Sequence, residues 1–181
     1  MDKKTVVQLV DFADAESFKL ALEDIDVVFC AVGTTQKKVK GDKEAYRKVD
    51  YDIPVNAARF AKEAGCKQFL LVSSVGANAK SKNFYLQLKG RVEDAVVQQG
   101  LPSVSIFRPS MLLGYREEKR PGEGFGKAVM RLLSFMFVGR LKKYRAVHAR
   151  TVAKAMVYAA KEGNPGVSVY EYKEIIAVGE K

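Results

Sequence analysis

Tyr85-Leu86-Gln87-Leu88-Lys89 sets a phenol and an ammonium four residues apart, which on a helix is a shared face. A free phenol has a pKa of about 10 and is a poor base at neutral pH. An ammonium beside a phenol favours the phenolate, and such a pair can donate and accept a proton near working pH. Twelve and eleven residues upstream stand Ser73 and Ser74, closing the apolar run F-L-L-V. A serine hydroxyl placed there can hydrogen-bond a carbonyl or alkoxide oxygen and hold it for hydride transfer. Each motif alone is weak, because Tyr-x-x-x-Lys arises by chance as a surface pair and a double serine is an ordinary polar turn. Their order, just after a strand-like run, makes the combination specific.

The segments that must position these groups alternate in character. Residues 6–10, VVQLV, form a short, mostly apolar run, and Asp14 then reads as the N-cap of a helix over 15–23. Residues 26–32, DVVFCAV, suit a strand buried on both faces. Helical spacing returns over 43–64, with Val49, Ile53, Ala57, Phe60 and Ala61 inward and Pro54 kinking or splitting the helix. A strand over 67–72, a helix over 83–99 and a strand over 103–107 follow. Helices are expected over about 123–137 and over 149–162, and one or two late strands within 167–178.

Apolar strands alternating with helices predict an α/β fold, a doubly wound parallel sheet of Rossmann-like type. Ligands of such sheets bind beyond the carboxyl ends of the strands. The residues expected at that edge are Asp11, then Gly33-Thr34-Thr35, then Ser73-Ser74, then Arg108-Pro109-Ser110.

Four segments together, D-V-V-F-C-A-V-G-T-T (26–35), F-L-L-V-S-S-V-G-A-N-A (69–79), N-F-Y-L-Q-L-K-G (83–90) and S-I-F-R-P-S-M-L-L-G (105–114), resemble the atypical short-chain dehydrogenase/reductases. Within them the chain is most similar to the Tat-interacting oxidoreductase-like group, which R-P-G-E at 120–123 also fits. The resemblance runs from about Val6 to about Tyr170. It implies an oxidoreductase using NAD or NADP on a small carbonyl or alcohol, with Tyr85 as general acid/base and Lys89 as its electrostatic partner. Ser74 is then the hydroxyl that polarises the carbonyl, with Ser73 the less favoured choice. It also implies that Asp11 lies beside the adenine, that Gly33 and Thr34 line the ribose and pyrophosphate path, and that Arg108-Pro109-Ser110 passes the nicotinamide.

The family carries a strand, a G-x-x-G-x-x-G turn and a helix ahead of everything seen here, and the fourteen glycines of this sequence include no such arrangement. The expected sheet is therefore truncated on its N-terminal side, with dinucleotide binding weakened and the open edge leaving room for a homo-oligomer. The rival reading is a non-catalytic Rossmann-like binding or regulatory protein.

Length sets one domain over residues 1–181, with 110–150 as the substrate or lid region. Residues 124–138 suit a lid and a core helix equally. Thirty-one basic against twenty-one acidic residues give +10, which predicts at most weak, non-specific attraction to nucleic acid. No apolar run reaches the length of a membrane span, and no secretory leader is legible. Two distant cysteines, Cys30 and Cys66, and one histidine, His148, predict no metal site. Cys30 reads as core, Cys66 as partly exposed, and His148 as a helix start or surface residue. The cysteine usage points to the cytoplasm.

Overall fold

The computed structural model describes residues 5–114 and 139–181. Four strands, β1 (Val27–Cys30), β2 (Gln68–Val72), β3 (Ser103–Phe107) and, after a shorter pair, β6 (Gly166–Tyr170), make a fully parallel sheet in the order β1-β2-β3-β6. The shorter pair is β4 (Leu112–Leu113) with β5 (Val147–His148), also parallel. Helices α1 (Ala15–Leu20), α2 (Lys43–Arg47), α3 (Ile53–Glu63), α4 (Phe84–Gln98), α5 (Ala149–Glu162) and α6 (Tyr172–Gly179) complete the described residues, with a short 3₁₀ turn at Gly139–Tyr144.

Strand periodicity sends alternate residues into two cores. Phe69 and Leu71 of β2 and Val104 and Ile106 of β3 meet Phe18 of α1, Phe60 and Ala61 of α3, and Val92 and Val96 of α4. Leu70 and Phe107 point the opposite way, onto Val152, Ala155 and Met156 of α5 and Ile175 of α6. Helices thus cover both faces of the sheet, as the doubly wound pattern requires. At roughly 25 cal/mol per Å² of apolar surface, these two layers supply most of the driving force for folding.

Three expectations need correction. The apolar run 6–10 is not a strand; Val6 and Leu9 are 88% and 95% exposed. β1 is not buried on both faces, since Phe29 is 48% exposed. It forms the edge of the described sheet, where Val27 packs against the core beneath α5 and α6 while Phe29, further along the same face, stays outside that core. The tail holds one strand and then a helix. Glu171 and Glu174 form a reciprocal capping box that starts α6, and Ile175 is fully buried beneath it.

The long segment 43–64 splits, and the split has a cause. Proline donates no N–H, so Pro54 cannot close an ordinary helical turn onto residue 50. The chain instead widens into a π turn, Lys48–Asp52, in which the Ile53 N–H reaches back to the Lys48 carbonyl. Asp50 lies within this widened turn and is 1% exposed.

α4 starts at Asn83, whose side chain accepts the Leu86 N–H at 3.1 Å, and Gly100 follows its end with φ +68°. Gly90 in its middle exists for a neighbour. A Cβ there would stand 2.1 Å from the Ala79 nitrogen and 2.3 Å from the Asn78 carbonyl carbon, both backbone atoms. The loop that leaves β2 through Ser73 and Ser74 therefore lies directly on α4. The helix 123–137 expected from the sequence falls outside the described residues.

Gly90→Ala should destabilise the fold by about 1–3 kcal/mol or more, because rigid backbone must move to admit the methyl group. Urea unfolding of the variant beside the parent measures this, and an unchanged midpoint would contradict the close approach.

Candidate active site

The carboxyl ends of β1, β2, β3 and β6 open on one edge of the parallel sheet. There the chain runs into Gly33-Thr34, Ser73-Ser74, Arg108-Pro109-Ser110 and Glu171. Backbone bonds tie these ends together beyond the ladder: Ser73 N–H to the Phe107 carbonyl at 2.7 Å, Val75 to Pro109 at 3.0 Å, and Arg108 to Tyr170 at 2.8 Å. α4 crosses the same edge, and the loop 74–80 folds back on it through the Asn78 N–H, which donates to the Leu86 carbonyl at 3.0 Å.

Tyr85 and Lys89 share a face of α4 as their spacing predicts, with the Lys89 Nζ 6.0 Å from the centre of the Tyr85 ring. Lys89 does not project into solvent. Its side chain is 8% exposed, and its Nζ sits 3.0 Å from Oδ1 of Asp50, whose side chain is 2% exposed. The other oxygen of Asp50 accepts the backbone N–H of Thr34 at 2.7 Å. Thus Thr34, Asp50, Lys89 and Tyr85 form one connected group spanning the end of β1, the π turn and α4.

A second group lies one helical turn along. Glu93, 4% exposed, accepts the Ser73 hydroxyl and two guanidinium bonds from Arg108, the Nε one at 3.0 Å. Arg108 also reaches Glu171 at 3.9 Å. The Glu93 carboxylate beside it holds the Arg108 guanidinium above its ordinary pKa, so it stays charged at every accessible pH.

The structure therefore divides the predicted residues. Ser73 is buried and its hydroxyl is committed to Glu93. Ser74 is half-buried, and its only side-chain bond among the described residues is a long 3.4 Å contact to the Val75 carbonyl. Tyr85 is half-buried, with no hydrogen bond to its hydroxyl among the described residues. The Ser110 hydroxyl donates to the Arg145 carbonyl, and Pro109 is buried. Gly33 is exposed and Thr34 half-buried, so this turn remains open to a ligand. Asp11 is not drawn into the cluster by any of these bonds; it is exposed and its carboxylate accepts the Ala13 N–H at 2.8 Å, closing its own turn.

Asp50 and Glu93 were missed in the sequence. Both had a signal: Asp50 interrupts the inward stripe between Val49 and Ile53, and Glu93 follows Lys89 at helical spacing. His148 is exposed at the start of α5, as expected. Cys30 is core, and Cys66, expected partly exposed, is 2% exposed, with its thiol directed at the Asp26 and Gln68 carbonyls. Among the described residues no cluster of metal-binding side chains and no membrane-spanning helix occurs. Residues 115–138 of the expected lid, with R-P-G-E at 120–123, lie outside the described residues.

A parallel sheet wound on both faces, with hydroxyls, an open turn and a Tyr-Lys helix at its carboxyl edge, defines a Rossmann-type α/β domain. The sequence model of the NAD(P)H-binding family matches residues 1–163, and the chain belongs to that family. It is 35% identical over 173 residues to protein HTATIP2 of Rattus norvegicus, a match covering 95% of this chain and 69% of that protein. To protein FMP52-1, mitochondrial, of Scheffersomyces stipitis it is 34% identical over 173 residues, covering 88% of this chain and 72% of the relative. Among solved structures, RMD from Pseudomonas aeruginosa complexed with NADPH superposes with a TM-score of 0.66 at 17% identity. That match covers 92% of this chain and 67% of the other, and it shows the fold. These matches show the Rossmann-like fold and the NAD(P)H-binding family.

The expected cytoplasmic location is corrected by the same relatives. Several FMP52 proteins that match this chain are named mitochondrial. Cysteine usage separates reducing from oxidising compartments and cannot tell cytoplasm from mitochondrion.

Two measurements follow from this geometry. Glu93→Gln should cost about 2 kcal/mol in urea unfolding, below the roughly 3–5 kcal/mol of a fully buried pair because Arg108 is partly exposed. Lys67→Gln, which breaks the exposed 2.9 Å pair with Asp26, should leave the midpoint nearly unmoved. For the thiols, burial pushes both Cys30 and Cys66 up, which leaves little thiolate at pH 8. Neither should react with a disulfide reagent in the native state at that pH, and both should react once urea unfolds the chain.

Proposed function

We propose that the chain is an NAD(P)-dependent oxidoreductase that transfers hydride between the nicotinamide and a small carbonyl or alcohol. The observation that carries the reading is the division of the edge residues. Tyr85 and Ser74 are half-buried with hydroxyls available to a ligand, while Ser73, Lys89 and Glu93 behind them are buried and paired. A group that exchanges a proton with substrate must be reachable, and the groups that tune it can be enclosed.

When bound, the dinucleotide supplies or accepts the hydride. The exposed Gly33 and half-buried Thr34 fit it by their place at the end of β1 and would line its ribose and pyrophosphate path. Arg108, Pro109 and Ser110 would border the nicotinamide end, with Asp11 toward the adenine. Arg108 serves by fixing its loop, because its guanidinium already belongs to Glu93. In reduction, the Ser74 hydroxyl donates to the carbonyl oxygen, and Tyr85 delivers the proton as charge develops there. Lys89 supplies positive charge beside the phenol. The substrate is a small molecule whose approach would pass residues 110–150, and the whole chain, 1–181, acts as one domain. By likeness to its FMP52 relatives the protein would work in mitochondria.

The rival reading, a scaffold without catalysis, draws on the same pairs, since Lys89 is held by Asp50 instead of lying free. One comparison separates the two. Tyr85→Phe should lower turnover of an aromatic aldehyde by about 10²–10⁴-fold, the usual worth of a general acid. NADPH affinity, followed by fluorescence titration, should stay nearly unchanged, because only a hydroxyl group is lost. No turnover above background in either protein would favour the scaffold, and equal turnover above background would remove Tyr85 from the proton transfer.

A further inference from the structure

We propose that Asp50 is a positioning residue, a single buried carboxylate that fixes the Thr34 turn and the Lys89 ammonium relative to each other. The two oxygens have separate partners. Oδ2 accepts the Thr34 N–H at 2.7 Å and Oδ1 faces the Lys89 Nζ at 3.0 Å. Oδ1 would also lie 3.4 Å from a Cβ at position 33, so Gly33 packs directly against the same carboxylate. Thr34 follows β1, and Lys89 stands on α4. The strand end that would meet the dinucleotide and the helix that bears Tyr85 are thereby set by a few ångströms of one side chain.

The local backbone explains why an aspartate can reach both. In an uninterrupted helix over 43–64, residue 50 would pass its carbonyl to residue 54. Pro54 makes that bond impossible, and the π turn re-aims the segment, a feature that π bulges show often at functional sites. Asp50 is buried there with neither oxygen left to water.

Stability alone does not account for it. A buried ion pair costs desolvation at both ends, and a well-packed apolar pair of similar volume would hold the helices as firmly. What an apolar pair could not do is accept the Thr34 N–H and, with the same side chain, hold the Lys89 Nζ beside Tyr85. The consequence for reaction rests on the oxidoreductase reading; the clamp itself rests on the geometry.

The test uses the full chain, its Asp50→Asn and Asp50→Ala variants, and three readouts: NMR hydrogen exchange at the Thr34 amide, NADPH titration, and turnover of 4-nitrobenzaldehyde. The amide of Asn can still accept from Thr34 but offers no charge to Lys89. Thr34 exchange should be nearly unchanged in Asp50→Asn and about tenfold faster in Asp50→Ala, the worth of one lost hydrogen bond. NADPH affinity should follow the same order, retained in Asn and weakened in Ala. Turnover should fall about tenfold or more in both, since each leaves Lys89 without its partner. That separation between binding and turnover in Asp50→Asn is what a residue needed only for folding would not produce.

Exchange at Thr34 that is equal in all three proteins would overturn the clamp. So would parallel losses of thermal stability, affinity and turnover in both variants. Should Asp50→Ala fail to fold, Asp50→Asn decides alone: lost turnover with Thr34 exchange and affinity retained supports the proposal, and retained turnover overturns it. A parent that turns over no aldehyde would count against the oxidoreductase reading, and the Thr34 exchange would still decide the clamp.

Discussion

An ammonium buried to 8% exposure has to be neutralised where it sits, and among the described residues Lys89 meets that requirement with Asp50. Each charge on its own would cost several kcal/mol to remove from water, and the pair recovers this only with close geometry and satisfied oxygens. Here both conditions hold, because the second Asp50 oxygen takes a backbone donor. The arrangement can exist only if three elements arrive at fixed separations: the end of β1, the π turn and α4. The requirement is therefore a constraint on the fold as much as a feature of the site.

α4 carries that constraint in both directions. Lys89 and Glu93 are one helical turn apart and of opposite charge, the spacing at which they could pair with each other on a surface. They do not. Lys89 turns to the π turn, and Glu93 turns to Arg108 at the end of β3 and Ser73 at the end of β2. Arg108 extends the second chain of contacts to Glu171, where β6 gives way to α6. One helix thus holds all four strand ends through ionised side chains in place of apolar ones. Gly90 lies between the two charges, and its missing side chain lets the loop after Ser74 rest on the helix. The apolar faces of the strands build the two cores, and the charged residues register the edge.

How much of this was legible follows from what each signal depends on. Alternation of apolar strands and helices is a local property with a wide margin, and it gave the parallel sheet and the helical cover on both faces. The Tyr85–Lys89 face was legible because helical spacing is fixed by backbone geometry. Ser73 and Ser74 were equally legible as a pair, but which of them points outward depends on Glu93, nineteen residues beyond Ser74 and invisible to local pattern. Asp50 was hidden for a different reason: a lone carboxylate in an amphipathic helix ordinarily faces water, and only the partner on α4 makes burial affordable. The 6–10 run and Phe29 failed because apolar composition says nothing of whether a neighbour covers it. The last helix failed because V-S-V-Y ends one period and the capping glutamates that start the next read as tail charge.

A site whose charges are already paired needs less rearrangement when a ligand arrives. Fixed dipoles and ions stabilise a developing charge without being reorganised at the moment of reaction, and their ordering is settled during folding. In this chain the enclosed set, Asp50, Lys89 and Glu93, with the partly exposed Arg108 paired to it, is of that kind, whereas Tyr85, Ser74 and the Gly33-Thr34 turn are the accessible set. The division also explains how one edge can serve either an enzyme or a scaffold. The buried pairs join the strand ends to α4 under both readings, so their presence does not by itself select catalysis. The selective features are the reachable phenol of Tyr85 with an ammonium 6.0 Å from its ring, and a reachable serine on the neighbouring strand end. Under the oxidoreductase reading that phenol and that serine are the groups that meet the substrate, and the buried pairs behind them fix where they stand.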